Sequence, residues 1–175
     1  MTGGEFRALA NAYATGHVPD YQMAALLMAV YFKGMDRAET SALMEAMLRI
    51  PGLRFRAVCD IWTDYNQKRV VNTLKRFKHE PNGYEDYREM LDKEKELDAV
   101  IIFADGGPRH VALRNDNLAQ LERVLSKGAG LGLLHYAVEP TLEKGQAEFL
   151  RWVGGAFEIH WSVNPHWHAE FKALP

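Results

Sequence analysis

The sequence predicts an α/β protein in which a three-layer domain with a mainly parallel sheet follows an N-terminal helical segment. From residue 53 onward, short apolar runs alternate with helical patterns, which is typical of a parallel sheet with helices on its faces. The run at 98–103 is continuously apolar, as expected for a strand covered on both faces. Residues 5–48 show helical patterns alone. We therefore expect a helical segment over residues 1–49 and an α/β domain over residues 50–175.

The helical segment carries clear signals for where helices begin and end. Proline and aspartate open a predicted helix over residues 19–33, and Gly34 ends it. Asp36 and Glu39 have the spacing of a capping box at the start of the next helix. The longest apolar run of the chain, residues 23–32, is only about half of the roughly 20 residues that a membrane-spanning helix needs. It therefore predicts a buried helix.

The α/β part is expected to contain four strands in one sheet. The predicted strands are 54–60, 98–104, 130–136 and 157–161. Helices are expected between them at about 64–78, 84–95, 115–128 and 143–153. The second and third strands should lie side by side and parallel, so that the loops following them open onto a common crevice.

Composition excludes some classes of function. The chain has 21 basic and 23 acidic residues and a formal charge of −2, which gives no reason to expect nucleic acid or an anionic membrane as a partner. A single cysteine, Cys59, cannot form a disulfide within the chain, and the first residues lack a secretory signal. These features favour a reducing, cytoplasmic location. Cys59 itself is expected to be a buried, inert thiol.

The first helices resemble a known domain. The segments 15–26 and 31–35, followed by Glu39 and Thr40, are similar to the N-terminal helical domain of pyrimidine-nucleoside and thymidine phosphorylases. The resemblance implies a helical unit that packs beside an α/β domain and contributes to dimer contacts. The family's phosphate-binding loop and base-binding residues have no counterpart here, so the resemblance implies no phosphorolysis. A homodimer through the apolar helix at 23–32 is a secondary hypothesis.

The middle of the chain resembles a second family. Residues 50–55, 57–62 and 84–91, continuing to about residue 102, are similar to the nucleotide-binding half of the Gfo/Idh/MocA oxidoreductases. The resemblance places Asp60 on the adenosine ribose and implies NAD(P) as the cofactor. The family's first strand with its GxGxxG turn is absent, because helical sequence occupies that space, and its catalytic Glu-Lys-Pro segment is absent too.

The last part resembles a third family, over residues 98–175. The turn Asp105-Gly106-Gly107 and the segments 134–139 and 157–167 are similar to ThuA-like (trehalose utilisation) domains. This resemblance implies a Rossmann-like or flavodoxin-like sheet of glutamine-amidotransferase type and a carbohydrate-related role. Because the run at 98–102 fits both the second and the third family, the chain has the character of a mosaic, which could be natural, recombinant or artificially generated.

Candidate site residues follow from the predicted crevice. His135 ends a predicted strand, Glu139 follows four residues later, and His110 lies in the loop after the neighbouring strand. A histidine paired with a carboxylate suits general acid–base catalysis, and the expected ligand is a sugar-like small molecule. The alternative is structural, with His135 hydrogen-bonded within its own loop.

A metal site is considered and not predicted. His160, His166 and His168, with Glu170, could supply imidazole and carboxylate ligands. Their spacing matches no established metal motif, so we expect a polar, aromatic-rich surface segment there.

Three functional hypotheses remain open at this stage. The leading one is a ThuA-like binding or enzyme domain that uses His110, His135 and Glu139. The second is an NAD(P)-dependent oxidoreductase remnant that uses Asp60. The third is a non-catalytic mosaic or an artificially generated folded protein.

Overall fold

The first fifty residues form three helices in the computed structural model, which describes residues 1–158 of the chain. These helices are α1 (Gly3–Ala14), α2 (Asp20–Lys33) and α3 (Arg37–Leu48). A capping box starts both α1 and α3, and in α3 the backbone N–H of Glu39 donates to the Asp36 carboxylate at 2.7 Å. The predicted box at Asp36 and the predicted helix end at Gly34 are both confirmed.

The core of the helical segment lies between α1 and α3. Phe6, Ala10 and Ala46 are buried there. Four partly buried apolar residues pack against them: Met35, Ala42, Leu43 and Ile50. Helix α2 contributes no buried residue, so the prediction that residues 23–32 are buried within the chain is wrong for the residues described. Its apolar side chains surround the whole helix, and a single neighbouring surface cannot cover all of them.

The chain divides into two compact units, Met1–Met90 and Leu91–Pro175. The predicted boundary near residue 50 falls inside the first unit, in the segment that joins α3 to the first strand. The helix α5 (Tyr87–Lys93) contains the point of division.

The first unit continues with a short parallel strand pair. Strand β1 (Ala57–Cys59) pairs with β2 (Asn82–Tyr84), and a turn of π-helix at Thr63–Gln67 leads into α4 (Lys68–Arg76) between them. The sequence around Asn82 and Gly83 is typical of a turn, yet it forms β2. The reason is tertiary, because the N–H of Asn82 donates to the carbonyl oxygen of Arg56 at 2.9 Å, and the side-chain amide of Gln67 donates to the carbonyl oxygen of Tyr84.

A buried histidine fixes the segment between α3 and β1. One ring nitrogen of His79, Nε2, lies 2.9 Å from the carbonyl oxygen of Leu48, and Nδ1 accepts from the N–H of Phe55 at 3.4 Å. The Phe55 ring packs edge-on against the imidazole with centroids 5.1 Å apart. His79 therefore joins three separate stretches of the first unit.

The second unit is built on a longer strand pair. Strand β3 (Ala99–Phe103) runs parallel to β4 (Gly130–Leu134), with Val100 opposite Leu131 and Ile102 opposite Leu133. This confirms the predicted parallel pairing of these two strands. Helices α6 (Asn117–Leu125) and α7 (Gln146–Val153) complete the regular elements of this unit that the structure describes.

The predicted single sheet is not found in residues 1–158. The strands instead form two separate two-stranded parallel sheets, β1 with β2 and β3 with β4. The expected last strand at 157–161 lies mostly outside the described residues, and Phe157 and Glu158 are not in a strand.

A three-layer, Rossmann-like arrangement is likewise not confirmed. Burial alternates along β3, where Val100 and Ile102 are buried while Ile101 and Phe103 are 63% and 74% exposed. A strand covered on one face only alternates in this way. What the structure supports is a helical N-terminal part followed by small parallel sheets with mixed α/β content. No helix among residues 1–158 is long and apolar enough to cross a membrane.

Candidate functional site

The loops that follow β3 and β4 lie against each other at the carboxyl ends of the paired strands. The backbone N–H of Gly107, in the first loop, donates to the carbonyl oxygen of Glu139, in the second, at 2.8 Å. His110 adds a second link, because its Nε2 lies 2.9 Å from the carbonyl oxygen of Ala137. Loops at this edge of a parallel sheet are where open α/β sheets bind their ligands.

His110 holds the two loops together through both of its ring nitrogens. Nδ1 accepts from the N–H of Ala112 at 2.9 Å, which leaves Nε2 protonated to donate to Ala137. The side chain is fully buried, and the Phe149 ring packs edge-on against it at 5.4 Å. Burial lowers the pKa of His110, while the bond to Ala137 acts in the opposite direction. The imidazole is therefore neutral, and its hydrogen bonds position the loops.

Two glycines allow the loops to approach this closely. Gly107 is buried and has φ of 65°, in the left-handed region. A Cβ at Gly106 would lie 2.6 Å from the carbonyl oxygen of Tyr136 and 2.7 Å from Cβ of Glu139. The turn Asp105-Gly106-Gly107 is thus required by the contact with the second loop.

An open pocket of about 380 Å³ lies between the two loops. It is lined by Asp105, Gly106, Gly107, Pro108, Arg109, Tyr136 and Glu139. The Glu139 residue is only 7% exposed, and its carboxylate makes no hydrogen bond or ion pair with any residue among 1–158. Sequence reasoning selected Glu139 but missed Asp105 and Arg109 as lining residues. The sequence did contain a signal for these two residues, because they flank the Gly106-Gly107 turn.

His135 lies outside this lining set. It adopts φ of 61°, an uncommon conformation for a residue with a side chain, and it is exposed. Its ring lies against Phe103 and Tyr136, at centroid distances of 5.6 and 4.2 Å. Of the three predicted catalytic residues, Glu139 lines the pocket, His110 hydrogen-bonds the two loops that form it, and His135 packs against Phe103 and Tyr136.

Asp60 lies after β1 in the first unit. Its N–H donates to the carbonyl oxygen of Tyr84 at 3.0 Å, and its carboxylate accepts from the N–H of Trp62 at 2.7 Å. The carboxylate that was assigned to a ribose by resemblance thus caps the turn that begins the next element.

Cys59 has the environment of an unreactive thiol. Burial is the largest cause of the rise in the pKa of Cys59 to about 11, and the carboxylates of Asp86, Asp60 and Glu89 raise it further. At neutral pH the sulfur is therefore protonated and a poor nucleophile.

The described part of the chain holds no group of three His, Cys, Asp or Glu side chains that could bind a metal ion. The candidate ligands His160, His166, His168 and Glu170 lie outside the described residues.

Comparison with known proteins identifies relatives for the helical segment alone. Residues 1–50 match the helical bundle domain of a glycosyl transferase family. The pyrimidine-nucleoside phosphorylase of Geobacillus stearothermophilus is 44% identical to this chain over 48 residues, which is 27% of this chain and 11% of the relative. No solved structure matches the chain.

These comparisons correct the functional expectations. The resemblance of the N-terminal helices to a phosphorylase helical domain is confirmed, whereas nothing supports the ThuA-like or Gfo/Idh/MocA resemblances. The predicted ThuA-like carbohydrate function is wrong, as is the NAD(P)-dependent alternative that used Asp60. The matched region is instead similar to the N-terminal helical domain of glycosyl transferases of the pyrimidine-nucleoside phosphorylase type.

Proposed function

We propose that residues 1–50 act as the association domain of a glycosyl transferase-type protein related to pyrimidine-nucleoside phosphorylase, and that this domain pairs two copies of the chain through α2. The observation that carries the proposal is the exposure of this helix. Ala24, Leu27, Met28 and Tyr31 are all exposed and follow the i, i+3, i+4, i+7 spacing of one helix face. We call these four residues the α2 stripe.

The α2 stripe presents large apolar side chains to solvent. Leu27 is 57% exposed and Tyr31 is 75% exposed, and Tyr21 near the same face is 72% exposed. The stripe and Tyr21 together contain two tyrosines, a leucine and a methionine, and a large aromatic side chain alone buries about 150–250 Å². A standard interface buries about 800 Å² per partner, so this face can supply part of a dimer contact.

A second copy fits this face better than an unrelated partner because of where the charges lie. Asp20 and Lys33 stand at the two ends of α2, and no charged residue lies between them. In an antiparallel pair related by a twofold axis, each Asp20 faces the Lys33 of the other copy. Each charge also lies at the helix end where the backbone dipole favours it.

The oligomeric state tests this proposal. Sedimentation velocity over a range of micromolar concentrations should show the wild-type chain as a dimer, and Leu27→Glu combined with Tyr31→Glu should weaken dimerisation at least 100-fold. The matched control is Ala25→Glu combined with Ala29→Glu, which places the same two charges on exposed positions of the same helix outside the stripe. A wild-type chain that stays monomeric, or a double variant that dimerises as well as wild type, would refute the proposal.

An activity assay separates association from catalysis. Under this proposal the chain by itself releases no uracil from uridine in the presence of phosphate, because the family's phosphate-binding and base-binding residues have no counterpart in it. The change in ultraviolet absorbance on phosphorolysis measures this directly. Turnover by the purified chain would show that residues 1–50 are part of a working active site.

A further inference from the structure

The first unit presents exposed basic and aromatic side chains on and beside α4, and their geometry points to a binding site for single-stranded nucleic acid. We call these five residues the α4 surface: Trp62, Tyr65, Arg69, Lys75 and Arg76. The surface is independent of the proposed association domain, since all of its residues lie outside residues 1–50. The formal charge of −2 conceals it, because that value averages the basic and acidic parts of the whole chain.

Helix α4 carries positive charge on one face and apolar side chains on the other. Its sequence, Lys-Arg-Val-Val-Asn-Thr-Leu-Lys-Arg, contains four basic residues and no acidic residue. Five exposed residues share one face at the spacing i, i+1, i+4, i+7 and i+8: Lys68, Arg69, Asn72, Lys75 and Arg76. Leu74 on the opposite face is buried, so packing within the first unit turns the basic face toward solvent.

Most of the positive charge on this face has no counterion in the described part of the protein. Lys68 pairs with Asp64, an exposed i, i+4 contact of the kind that contributes little. The three other basic residues form no ion pair with any residue among 1–158: Arg69, Lys75 and Arg76. A nucleic acid whose phosphates contact them releases its own condensed counterions, which favours association.

Two large aromatic side chains precede α4 and are also exposed. Trp62 is 62% exposed and Tyr65 is 65% exposed. The backbone of Trp62 is fixed by the Asp60 carboxylate, which accepts from its N–H at 2.7 Å. Tyr65 lies in the π-helical turn that runs directly into α4, four residues before Arg69. Proteins that bind single strands combine cations along the phosphate backbone with aromatic rings on which the bases stack, and the α4 surface offers both.

This combination favours unpaired bases over two other polyanions. In a duplex the bases already stack on one another, so exposed rings gain no comparable contact with them. An anionic membrane binds a basic helix whose apolar face enters the lipid interface, and α4 has its apolar Leu74 buried within its own unit. A single strand is the partner that uses both the cations and the rings.

Fluorescence anisotropy of a labelled oligothymidylate tests this assignment on the full chain, with about 12 nucleotides as a length within typical single-strand site sizes. Each phosphate contact contributes about −0.7 to the slope of log K against log salt concentration, so three contacts give a slope of about −2. A duplex of the same length and a polyglutamate peptide of the same charge should each compete roughly 10-fold less well than the unlabelled oligonucleotide, because neither offers unpaired bases.

One pair of variants measures the contribution of the cations. Arg69→Gln combined with Arg76→Gln removes two of the three unpaired charges, so it should weaken binding and reduce the salt slope to about −0.7. The matched control is Arg7→Gln combined with Arg37→Gln, which removes two exposed arginines from α1 and α3. The control should leave both the affinity and the slope unchanged.

A second pair measures the contribution of the rings. Trp62→Ala combined with Tyr65→Ala should weaken binding at least about 5-fold at every salt concentration, because base stacking is lost, while the slope stays near about −2. Phe103→Ala removes a ring that is 74% exposed on β3 and should change nothing. The cation and ring variants can each be interpreted without the other, so one variant that fails to fold leaves the test intact.

Several outcomes would overturn the assignment. No change in anisotropy at low salt would remove the binding site itself. A duplex or polyglutamate that competes as well as the single strand would show that charge alone attracts the partner. Equal losses from the α4 arginine pair and its control would place binding elsewhere on the chain. Unchanged affinity after removal of both rings would show that bases do not stack there. Binding to phosphatidylserine vesicles without binding to the oligonucleotide would make the partner a membrane. None of these results depends on whether the chain dimerises through α2.

Discussion

The helical segment and the second unit differ in what they leave uncovered. The helical segment leaves an apolar face exposed, since α2 buries no residue and its stripe is open to solvent. The second unit instead buries the His110 imidazole, and both of its ring nitrogens bind backbone groups. An exposed apolar face gains stability by covering itself, whereas a buried polar group that already has its hydrogen bonds needs no further partner. The comparison teaches that the helical segment is suited to a macromolecular partner and that the second unit is stabilised from within.

The interiors of the two regions differ as well. Between α1 and α3 the buried residues are one phenylalanine and two alanines. In the second unit, the buried apolar residues come from β3, from the loops that follow β3 and β4, and from α6 and α7. They include Val100, Ile102, Ala112, Leu113, Leu121, Ala137 and Phe149. We infer that burial of apolar side chains stabilises the second unit more than it stabilises the helical segment.

The largest expected effect comes from truncating the core of the second unit. Phe149→Ala should lower the free energy of unfolding by about 3–5 kcal/mol, because the ring is fully buried and a cavity would remain. Urea titration followed by tryptophan fluorescence is a direct measurement, since the Trp152 ring lies 5.9 Å from Phe149.

The comparison variant is Tyr31→Ala in the α2 stripe. In a dilute sample, where the chain is monomeric, its cost should stay within about 0.5 kcal/mol because the side chain is mostly exposed. Equal losses from Phe149→Ala and Tyr31→Ala would break the contrast between the two regions.

The next effect concerns the histidine that links the two loops. His110→Ala leaves the carbonyl of Ala137 and the N–H of Ala112 without their partner, and should cost about 2–4 kcal/mol. His135→Asn, which replaces an exposed imidazole nearby with a residue that also tolerates the left-handed backbone, serves as the control and should cost less than His110→Ala. Similar values for the two variants would mean that His110 does not hold the loops together.

Acid should destabilise the second unit through the same residue. The pKa of His110 is lowered in the folded chain, so the unfolded chain binds more protons as the pH falls below about 6.5. Stability is therefore fully present above this pH and declines toward the folded-state pKa, by at most about 1.4 kcal/mol per pH unit for one group. Urea titrations at pH 7.5, 6.5 and 5.5 should show this loss, and His110→Asn should lack this contribution to it.

The smallest expected effect comes from the helix caps. Asp36→Ala removes the side chain that accepts from the Glu39 N–H, and should cost about 1 kcal/mol. Circular dichroism at 222 nm during thermal unfolding measures the loss. Thr40→Ala in the first turn of α3 is a useful control, because its hydroxyl only adds to a carbonyl that the helix already uses. A cap variant as stable as wild type would indicate that α3 is held by packing with α1 alone.

Local chemistry explains which parts of the fold could be predicted. The capping box at Asp36, the helix end at Gly34 and the continuous apolar run of β3 each depend on neighbouring residues, and all three appear as expected. Strand β2 was missed because Asn82 and Gly83 favour a turn locally, and the pairing with β1 that holds them extended joins residues far apart in the chain. Only one face of β3 is covered by other elements of the chain. The residues of the strand itself do not indicate this, because the covering elements are distant in sequence.

The sequence predicted where the candidate site lies, but it did not predict the role of each residue in it. Strand ends and the Asp105-Gly106-Gly107 turn indicated where the loops would meet. They could not show that both nitrogens of His110 bind backbone groups, nor that His135 lies outside the residues that line the pocket. Those properties depend on the direction of each side chain after folding, which residue spacing does not determine.

The protonated thiol of Cys59 gives the first unit a natural chemical reporter. As the chain's single cysteine, it is the one place where a maleimide or disulfide reagent can attach, and a pKa near 11 keeps the folded form slow to react. We therefore expect the folded chain to be labelled more slowly than the unfolded chain, whose thiol has its ordinary pKa. The difference in labelling rate reports the folding of the first unit without any engineered probe.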